Sequence, residues 1–213
     1  MATLLEEQRI TLNTPRRTYG ILAKILFITM NFIYGKGKNL SKFKVLEVIA
    51  RVPYQAWEHV AYIGMTHTYG KPDMARRVFE FVIESRQQQD NEQWHLLILE
   101  EILQKKGIRE NFFLYRLFPQ LMAFIYYHIS WLLYVIKPDL SYLLNADFED
   151  HAEHEYMEFV RDNPLFDNEV FESQFENDYG SFDSFGDLLR QIGLDERKHK
   201  MESLERIEKA RFE

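Results

Sequence analysis

The sequence predicts an all-α protein, a four-helix bundle with two additional apolar helices. Only 9 Gly and 6 Pro occur in 213 residues, and no segment shows the sustained alternation of apolar and polar residues typical of a half-buried strand. Long stretches instead repeat apolar residues every three or four positions, as one face of a helix does. Apolar residues make up 46% of the chain, so we expect a sizeable core and, at this length, a single domain over residues 1–213.

Charge and composition exclude several classes of protein. A net charge of −7 argues against a nucleic-acid partner. The charge is uneven, however, because residues 8–46 contain no Asp or Glu and many Lys and Arg. A basic, apolar N-terminal region on an acidic protein suggests contact with an anionic membrane surface; a solvated basic arm is the alternative. The chain has no Cys, which excludes disulfides and thiolate metal sites.

Two apolar stretches, at about 17–34 and 112–136, are predicted to be helices that lie on a membrane surface. In the first, Arg17, Gly20, Lys24 and Asn31 share one narrow face. That pattern also fits a helix packed on the protein's own core. The second stretch is long enough to cross a bilayer, but it is interrupted by Pro119, Gln120, His128 and Ser130. These interruptions favour an interfacial or half-buried helix over a transmembrane span.

Four further helical patterns, at about 41–66, 73–106, 140–162 and 182–206, carry carboxylates on their apolar faces. Glu47 and Glu149 are single carboxylates on the first and third helices. The second and fourth helices each carry a Glu-x-x-His pair, which places a carboxylate and an imidazole one turn apart. We expect Ser41 to cap the first of these helices and Pro53 to kink it or to open its hydrogen-bond ladder locally. We expect the polar tail from Met201 to be solvated.

Buried carboxylates need compensation, either from a metal ion or from an Arg or Lys partner. One Glu-x-x-His pair means little by itself. Two pairs on core faces, each with a matching single Glu, correspond to the ligand set of ferritin-like bundles that bind two metal ions. Carboxylates suit hard iron ions, and one imidazole per metal adds a neutral ligand. The sequence therefore predicts a di-iron centre with the ligands Glu47, Glu92, His95, Glu149, Glu196 and His199.

Four segments resemble the alternative oxidases: LEVIARVPY (46–54), DNEQWHLLILEE (90–101), FEDHAEHEY (148–156) and LDERKH (194–199). The first is most similar to the plastid terminal oxidase branch. The resemblance implies a monotopic membrane quinol oxidase that reduces O2 to water at a non-haem di-iron centre, does not pump protons and resists cyanide. It places the metal ligands on the same six residues and a catalytic tyrosine on Tyr156. It also places the quinol pocket on Lys42, Leu46, His151 and Ala152. Two polar residues that support the ligands correspond to Asn91 and Asp195.

Two features depart from the family pattern, and two other functions stay open. Lys42 stands where the family usually has Arg, which keeps the charge but loses the bidentate fork. The segment between Glu149 and Glu196 is also shorter than in the plastid enzymes. The alternatives are a di-iron hydroxylase of a quinone precursor and a non-catalytic iron-binding or membrane scaffold protein. The expected partners are quinol, O2 and lipid, with a possible homodimer, at a bacterial cytoplasmic, thylakoid or other energy-transducing membrane.

Overall fold

The computed structural model describes residues 3–208, which form seven α-helices and no β-strand. In chain order, α1 to α7 are Leu4–Asn13, Ile21–Tyr34, Leu40–Thr68, Pro72–Lys105, Phe118–Ile136, Pro138–Asp162 and Phe185–Glu208. A π-helical turn, Phe113–Leu117, leads into α5, and a 3-10 helix, Pro164–Asn168, follows α6. The predicted all-α class is therefore confirmed.

Helices α3, α4, α6 and α7 form the bundle. α3 packs along α4 and α6 packs along α7, and α5 lies against α3. Apolar side chains at helical spacing fill the space between these helices, among them Val45, Ile49, Leu99, Leu188 and Ile192. Gly193 allows α7 to approach α6 closely, because a Cβ at this position would lie 3.0 Å from Cε of Met157. The bundle core and the predicted carboxylates therefore share one interior.

The N-terminal cap of α3 differs from the one predicted from the sequence, whereas α7 begins close to where the sequence predicts. The prediction that Ser41 caps α3 is wrong, since Ser41 is already helical and Asn39 is the cap, accepting a hydrogen bond from the Lys42 amide at 2.9 Å. Asn39 has the extended backbone that a capping residue needs. α3 continues as one helix through Pro53. At α7, Ser184 Oγ accepts a hydrogen bond from the Asp187 amide, so the helix begins next to a serine expected near its start.

Two terminal segments pack more closely than the sequence suggested. α1 was not predicted, and its polar side chains Gln8 and Thr11 are buried against α6, where they donate to the Met157 carbonyl and the Glu153 carboxylate. The prediction of a solvated tail from Met201 is only partly right for residues 201–208, of which Met201, Glu205 and Glu208 are exposed. Ser203 is buried in the bundle, and Arg206 forms an ion pair with Glu84. The buried polar side chains of both segments are hydrogen-bonded or ion-paired. Polar composition therefore did not indicate that these segments are packed against the bundle.

α2 and α5 each turn one apolar face inward and another outward. α2 begins at Ile21 rather than near Arg17, because Gly20 is its N-cap and Arg17 pairs with Asp147. Ile21, Ile28 and Phe32 on the outer face of α2 are 77%, 67% and 89% exposed. The outer face of α5 exposes a longer apolar set, Leu121, Phe124, Ile125, Ile129, Leu132, Val135 and Ile136. A groove of about 210 Å³ lined by both helices shows that these faces are adjacent.

By length and composition, one stretch among the described residues, Phe113–Ile136, suffices to cross a membrane. Little of it is buried inside the protein.

Candidate metal centre

The four bundle helices direct six acidic and imidazole side chains into one buried space. The potential ligand atoms form two groups, Glu47, Glu92, His95 and Glu196 in one, and Glu92, Glu149, Glu196 and His199 in the other. Within each group the atoms lie within 4.8 Å of one another. Glu92 and Glu196 belong to both groups. The two groups could therefore hold two neighbouring metal ions, each with its own Glu and His and with Glu92 and Glu196 in common.

Several potential ligand atoms in this space have no hydrogen-bond partner. Oε2 of Glu92, of Glu149 and of Glu196 are buried without one. The closest contact between the two kinds of ligand is the 2.8 Å from Nδ1 of His199 to Oε1 of Glu92. Unsatisfied buried polar atoms are costly, and native structures contain few of them. Metal ions would satisfy all of these atoms at once. The residues present therefore fit a pair of hard cations with carboxylate and imidazole ligands.

The pKa shifts of the buried carboxyl and imidazole groups also favour bound cations. Burial raises the pKa of Glu47 and of Glu196 to about 8 in each case, and it raises the pKa of Glu149 well above its usual range. Burial also opposes the charge of Glu92, but its contacts with His199 and His95 lower its pKa. Burial disfavours a charged His95, yet acidic neighbours raise its pKa well above the usual range. Four carboxylates here can all be ionised only when additional positive charge is present.

Of the two polar residues predicted to support the ligands, Asp195 contacts His95 directly and Asn91 contacts Asp195. Oδ2 of Asp195 lies 3.2 Å from Nε2 of His95, and Asn91 Nδ2 donates to the same oxygen over 3.4 Å. Tyr179 also donates to this oxygen, at 2.6 Å, and its ring meets His95 edge-on. Such contacts orient a ligating imidazole.

Two tyrosines bond directly to the centre. The hydroxyl of Tyr156, the predicted catalytic residue, donates to Oε1 of Glu47, and its ring stacks on Phe43. Tyr54 donates to Oε1 of Glu149 at 2.6 Å. Sequence reasoning missed the role of Tyr54, although it lies on the same stripe as Glu47. It also missed Tyr179, which belongs to an irregular segment with no periodic signal.

The four predicted quinol-pocket residues lie close to the centre in sequence and are largely buried. Nζ of Lys42 donates to Asn31 Oδ1 at 2.7 Å and to the Gly35 carbonyl at 2.9 Å. Leu46 and Ala152 are buried. The ring of His151 stacks on Phe27, and Nδ1 lies 3.0 Å from Arg16 Nη1. Burial lowers the pKa of His151 to about 4, with Arg16 and Lys42 adding to the effect, so its imidazole is neutral near pH 7. The groove between α2 and α5 is lined by other residues.

A further acidic group beside the bundle does not resemble the metal centre. Asp150, Glu153 and His154 lie together, but Nζ of Lys200 donates to both carboxylates, at 3.0 and 2.5 Å. His154 lies 2.8 Å from the Asp150 carbonyl through Nδ1. An ammonium group already compensates this cluster, so it joins α6 and α7 as a structural network.

Single glutamates from two helices and Glu-x-x-His pairs from the other two define the class of ferritin-like carboxylate bundles that can hold two metal ions. The alternative oxidase family model matches residues 11–203, and the chain belongs to this family. Over 126 residues the chain is 30% identical to ubiquinol oxidase 4, chloroplastic/chromoplastic, of Arabidopsis thaliana. The match covers 59% of this chain and 33% of that protein, so the chain spans about a third of this curated relative.

Proposed function

We propose that the protein is a membrane-associated quinol:oxygen oxidoreductase that reduces O2 to water at a non-haem di-iron centre, without proton pumping and with resistance to cyanide. The observation that carries the proposal is the pair of overlapping ligand groups that share Glu92 and Glu196. Membership of the alternative oxidase family and the similarity to a ubiquinol oxidase support quinol as the reductant.

The chain's own residues have distinct tasks in this proposal. When bound, a pair of irons would supply the redox chemistry between quinol and oxygen. Glu47 with His95 would hold one iron and Glu149 with His199 the other, and Glu92 and Glu196 belong to both ligand groups. Asp195 orients His95 from behind. Tyr156, whose hydroxyl donates a hydrogen bond to Glu47, is the proposed catalytic tyrosine.

The quinol headgroup is expected to bind near Lys42, Leu46, His151 and Ala152. Lys42, just before Glu47 in sequence, offers an ammonium donor, and the neutral His151, just after Glu149, offers a ring nitrogen. The basic segment 8–46 contains Lys42 and Leu46, and its positive charge suits an anionic lipid surface. Substrate would thus enter from lipid rather than from water.

The outer faces of α2 and α5 are the proposed membrane contact. The two faces are apolar and lie next to each other, and Phe32 and Ile136 on them are 89% and 72% exposed. An apolar surface of this kind marks a membrane or protein contact. Two adjacent apolar helices favour a monotopic arrangement, in which both helices sink into one leaflet. The same surface is the expected contact for a homodimer.

The proposal is tested by iron content and oxygen uptake. We expect about two irons per chain and cyanide-resistant oxygen uptake that depends on an added quinol, measured against ubiquinol, plastoquinol and menaquinol. Glu92→Ala should abolish this uptake, because both metal positions lose a shared ligand. Glu58→Ala is the matched control, since Glu58 pairs with Arg86 outside the centre.

Three results would count against the oxidase. Equal uptake by the two variants would overturn the site assignment. An oxygen atom from O2 in the organic product would indicate a hydroxylase. Slow iron oxidation that does not depend on quinol would indicate an iron-binding protein without oxidase activity.

A further inference from the structure

Two tyrosines make the same contact in opposite directions between α3 and α6. Tyr156 on α6 donates to Oε1 of Glu47 on α3, and Tyr54 on α3 donates to Oε1 of Glu149 on α6. Each tyrosine lies seven positions after the glutamate of its own helix, 47 to 54 and 149 to 156. Seven positions are close to two helical turns, which places both pairs on the same face of their helices. The two contacts therefore form a reciprocal pair.

This reciprocity follows the division of the ligands into two groups. Glu47 belongs only to the group containing His95, and Glu149 only to the group containing His199. Each tyrosine thus bonds to the one carboxylate that distinguishes its metal position from the other. Tyr156 serves the first position and Tyr54 serves the second.

The direction of the Tyr54 hydrogen bond is determined by its neighbours. Asn145 Nδ2 donates to the hydroxyl oxygen of Tyr54 at 2.9 Å, so the phenolic hydrogen is free to point to Glu149. Oε1 of Glu149 accepts it, whereas Oε2 is buried without a partner. A carboxylate fixed through one oxygen presents the other to a metal ion in one orientation.

The Tyr54 ring is itself held rigidly. Tyr54 is fully buried, and its ring meets the Trp57 ring edge-on at a centroid distance of 5.2 Å. The indole of Trp57 donates to Ser141 Oγ at 2.8 Å. Packing and hydrogen bonds that lock a supporting side chain are what keep a ligand in a productive geometry.

We propose that Tyr54 is a positioning residue for Glu149, so that the centre has two tyrosine supports, one for each metal position. The inference rests on the two-metal site of the proposed function. Loss of the Tyr54 hydroxyl should weaken the metal position formed with Glu149 and His199 and should leave the position formed with Glu47 and His95 intact. Loss of the Tyr156 hydroxyl should have the converse effect.

The test is an anaerobic Co²⁺ titration of the purified full chain, followed by the visible absorption of the bound ion. The wild type should bind in two steps, which His199→Ala and His95→Ala assign to the two positions. Tyr54→Phe should weaken the step that His199→Ala removes by about 10- to 100-fold, the usual cost of losing a group that supports a ligand. Tyr156→Phe should weaken the other step similarly.

Tyr142→Phe is the matched control. Tyr142 is buried beside Trp57 and shares a hydrogen bond with the Tyr134 hydroxyl, so this variant also removes a buried phenol hydroxyl. It should leave both binding steps unchanged. Circular dichroism melts establish that each variant is folded.

The outcomes separate the inference from the proposed function. Absence of any metal binding by the wild type would overturn both. Two steps in the wild type with unchanged or equally weakened steps in Tyr54→Phe would overturn only the role of Tyr54. If Tyr54→Phe fails to fold, Asn145→Ala removes the donor that directs the Tyr54 hydroxyl. It should weaken the same step selectively, and unchanged binding there would overturn the inference.

Discussion

Oδ2 of Asp195 lies 3.2 Å from Nε2 of His95, while Nδ1 of the same ring lies 3.3 Å from carboxylate oxygens of both Glu47 and Glu196. One nitrogen thus faces a supporting carboxylate and the other faces the ligand groups. A carboxylate behind a metal-binding histidine fixes the tautomer and the ring orientation. Tyr179 and Gln191 donate to Asp195 in turn, so the support is itself anchored.

Asp195→Asn should reduce metal affinity without removing a ligand. The amide can keep the shape of the side chain but not its charge, and the expected loss is about 10- to 100-fold. Anaerobic metal titration measures it. Asp178→Asn is the control, because Asp178 is exposed. Equal affinities in the two variants would contradict the assigned role of Asp195.

The metal-free protein should become less stable as the pH rises from about 5 to 9. The pKa of Glu47 and of Glu196 is about 8 in the folded state, against 4.5 ordinarily, so the folded chain holds protons that the unfolded chain has released. The stability that these two carboxyl groups contribute is full below pH 4.5 and is lost as the pH rises through 8. The raised pKa of His199 acts in the same direction.

Thermal melts with a chelator at about pH 5.5 and 8.5 measure this effect. Glu47→Gln should reduce the difference in Tm, because it removes one of the titrating groups. A Tm that is equal or higher at the alkaline pH would contradict the prediction. Metal loading should remove most of the difference, since bound cations stabilise the ionised carboxylates.

Lys42→Ala should raise the KM for quinol about tenfold, the equivalent of one charge-assisted hydrogen bond, with a smaller change in kcat. Lys42 is buried, and Nζ is held by Asn31 and the Gly35 carbonyl at the entrance to α3. Steady-state oxygen uptake at varied quinol concentrations measures both constants.

Lys38→Ala is the control for Lys42, because Lys38 is also a lysine before the first ligand but pairs with Glu158 near the surface. It should leave KM unchanged. A KM unaffected in both variants would remove Lys42 from the quinol pocket.

Acidic substitutions on the outer face of α2 should release the protein from membranes. Ile28→Asp combined with Phe32→Asp replaces two side chains that are 67% and 89% exposed. Burial of such a side chain is worth about 1.5–3 kcal/mol, so partitioning into anionic lipid vesicles should fall at least tenfold. Leu165→Asp changes a residue that is 79% exposed on a different segment, and it should have no effect. Equal release by both would indicate a charge effect rather than a membrane face.

The candidate ligands could be predicted because their signals are local. The spacing of Glu92 and His95 on a helix puts them on one face whatever the rest of the chain does, and the same holds for Glu196 and His199. The pairing of each with a single glutamate then limited the ways in which buried carboxylates could be compensated. The structure brings these side chains together in two groups.

Local spacing did not predict the contacts that support these residues: Asp195 was expected only from the family resemblance, and the contact of Tyr54 was not expected. Tyr54 and Glu149 are 95 positions apart, and Asp195 and His95 are 100 apart. No local period relates such residues, and their contact depends on how α3 and α4 register against α6 and α7. The docking of α1 escaped prediction for a related reason, since its buried Gln8 and Thr11 have the composition of a solvated helix.

The sequence by itself determined six of the seven helices of residues 3–208 and the acidic and imidazole side chains that face the interior, because helical periodicity acts over a few residues. Only the tertiary structure decided that these candidate ligands form two groups with shared members, and that a tyrosine hydroxyl donates to the glutamate specific to each group. The physical reason is that a hydrogen bond between two helices depends on their relative rotation and translation. Packing across the whole bundle sets both quantities.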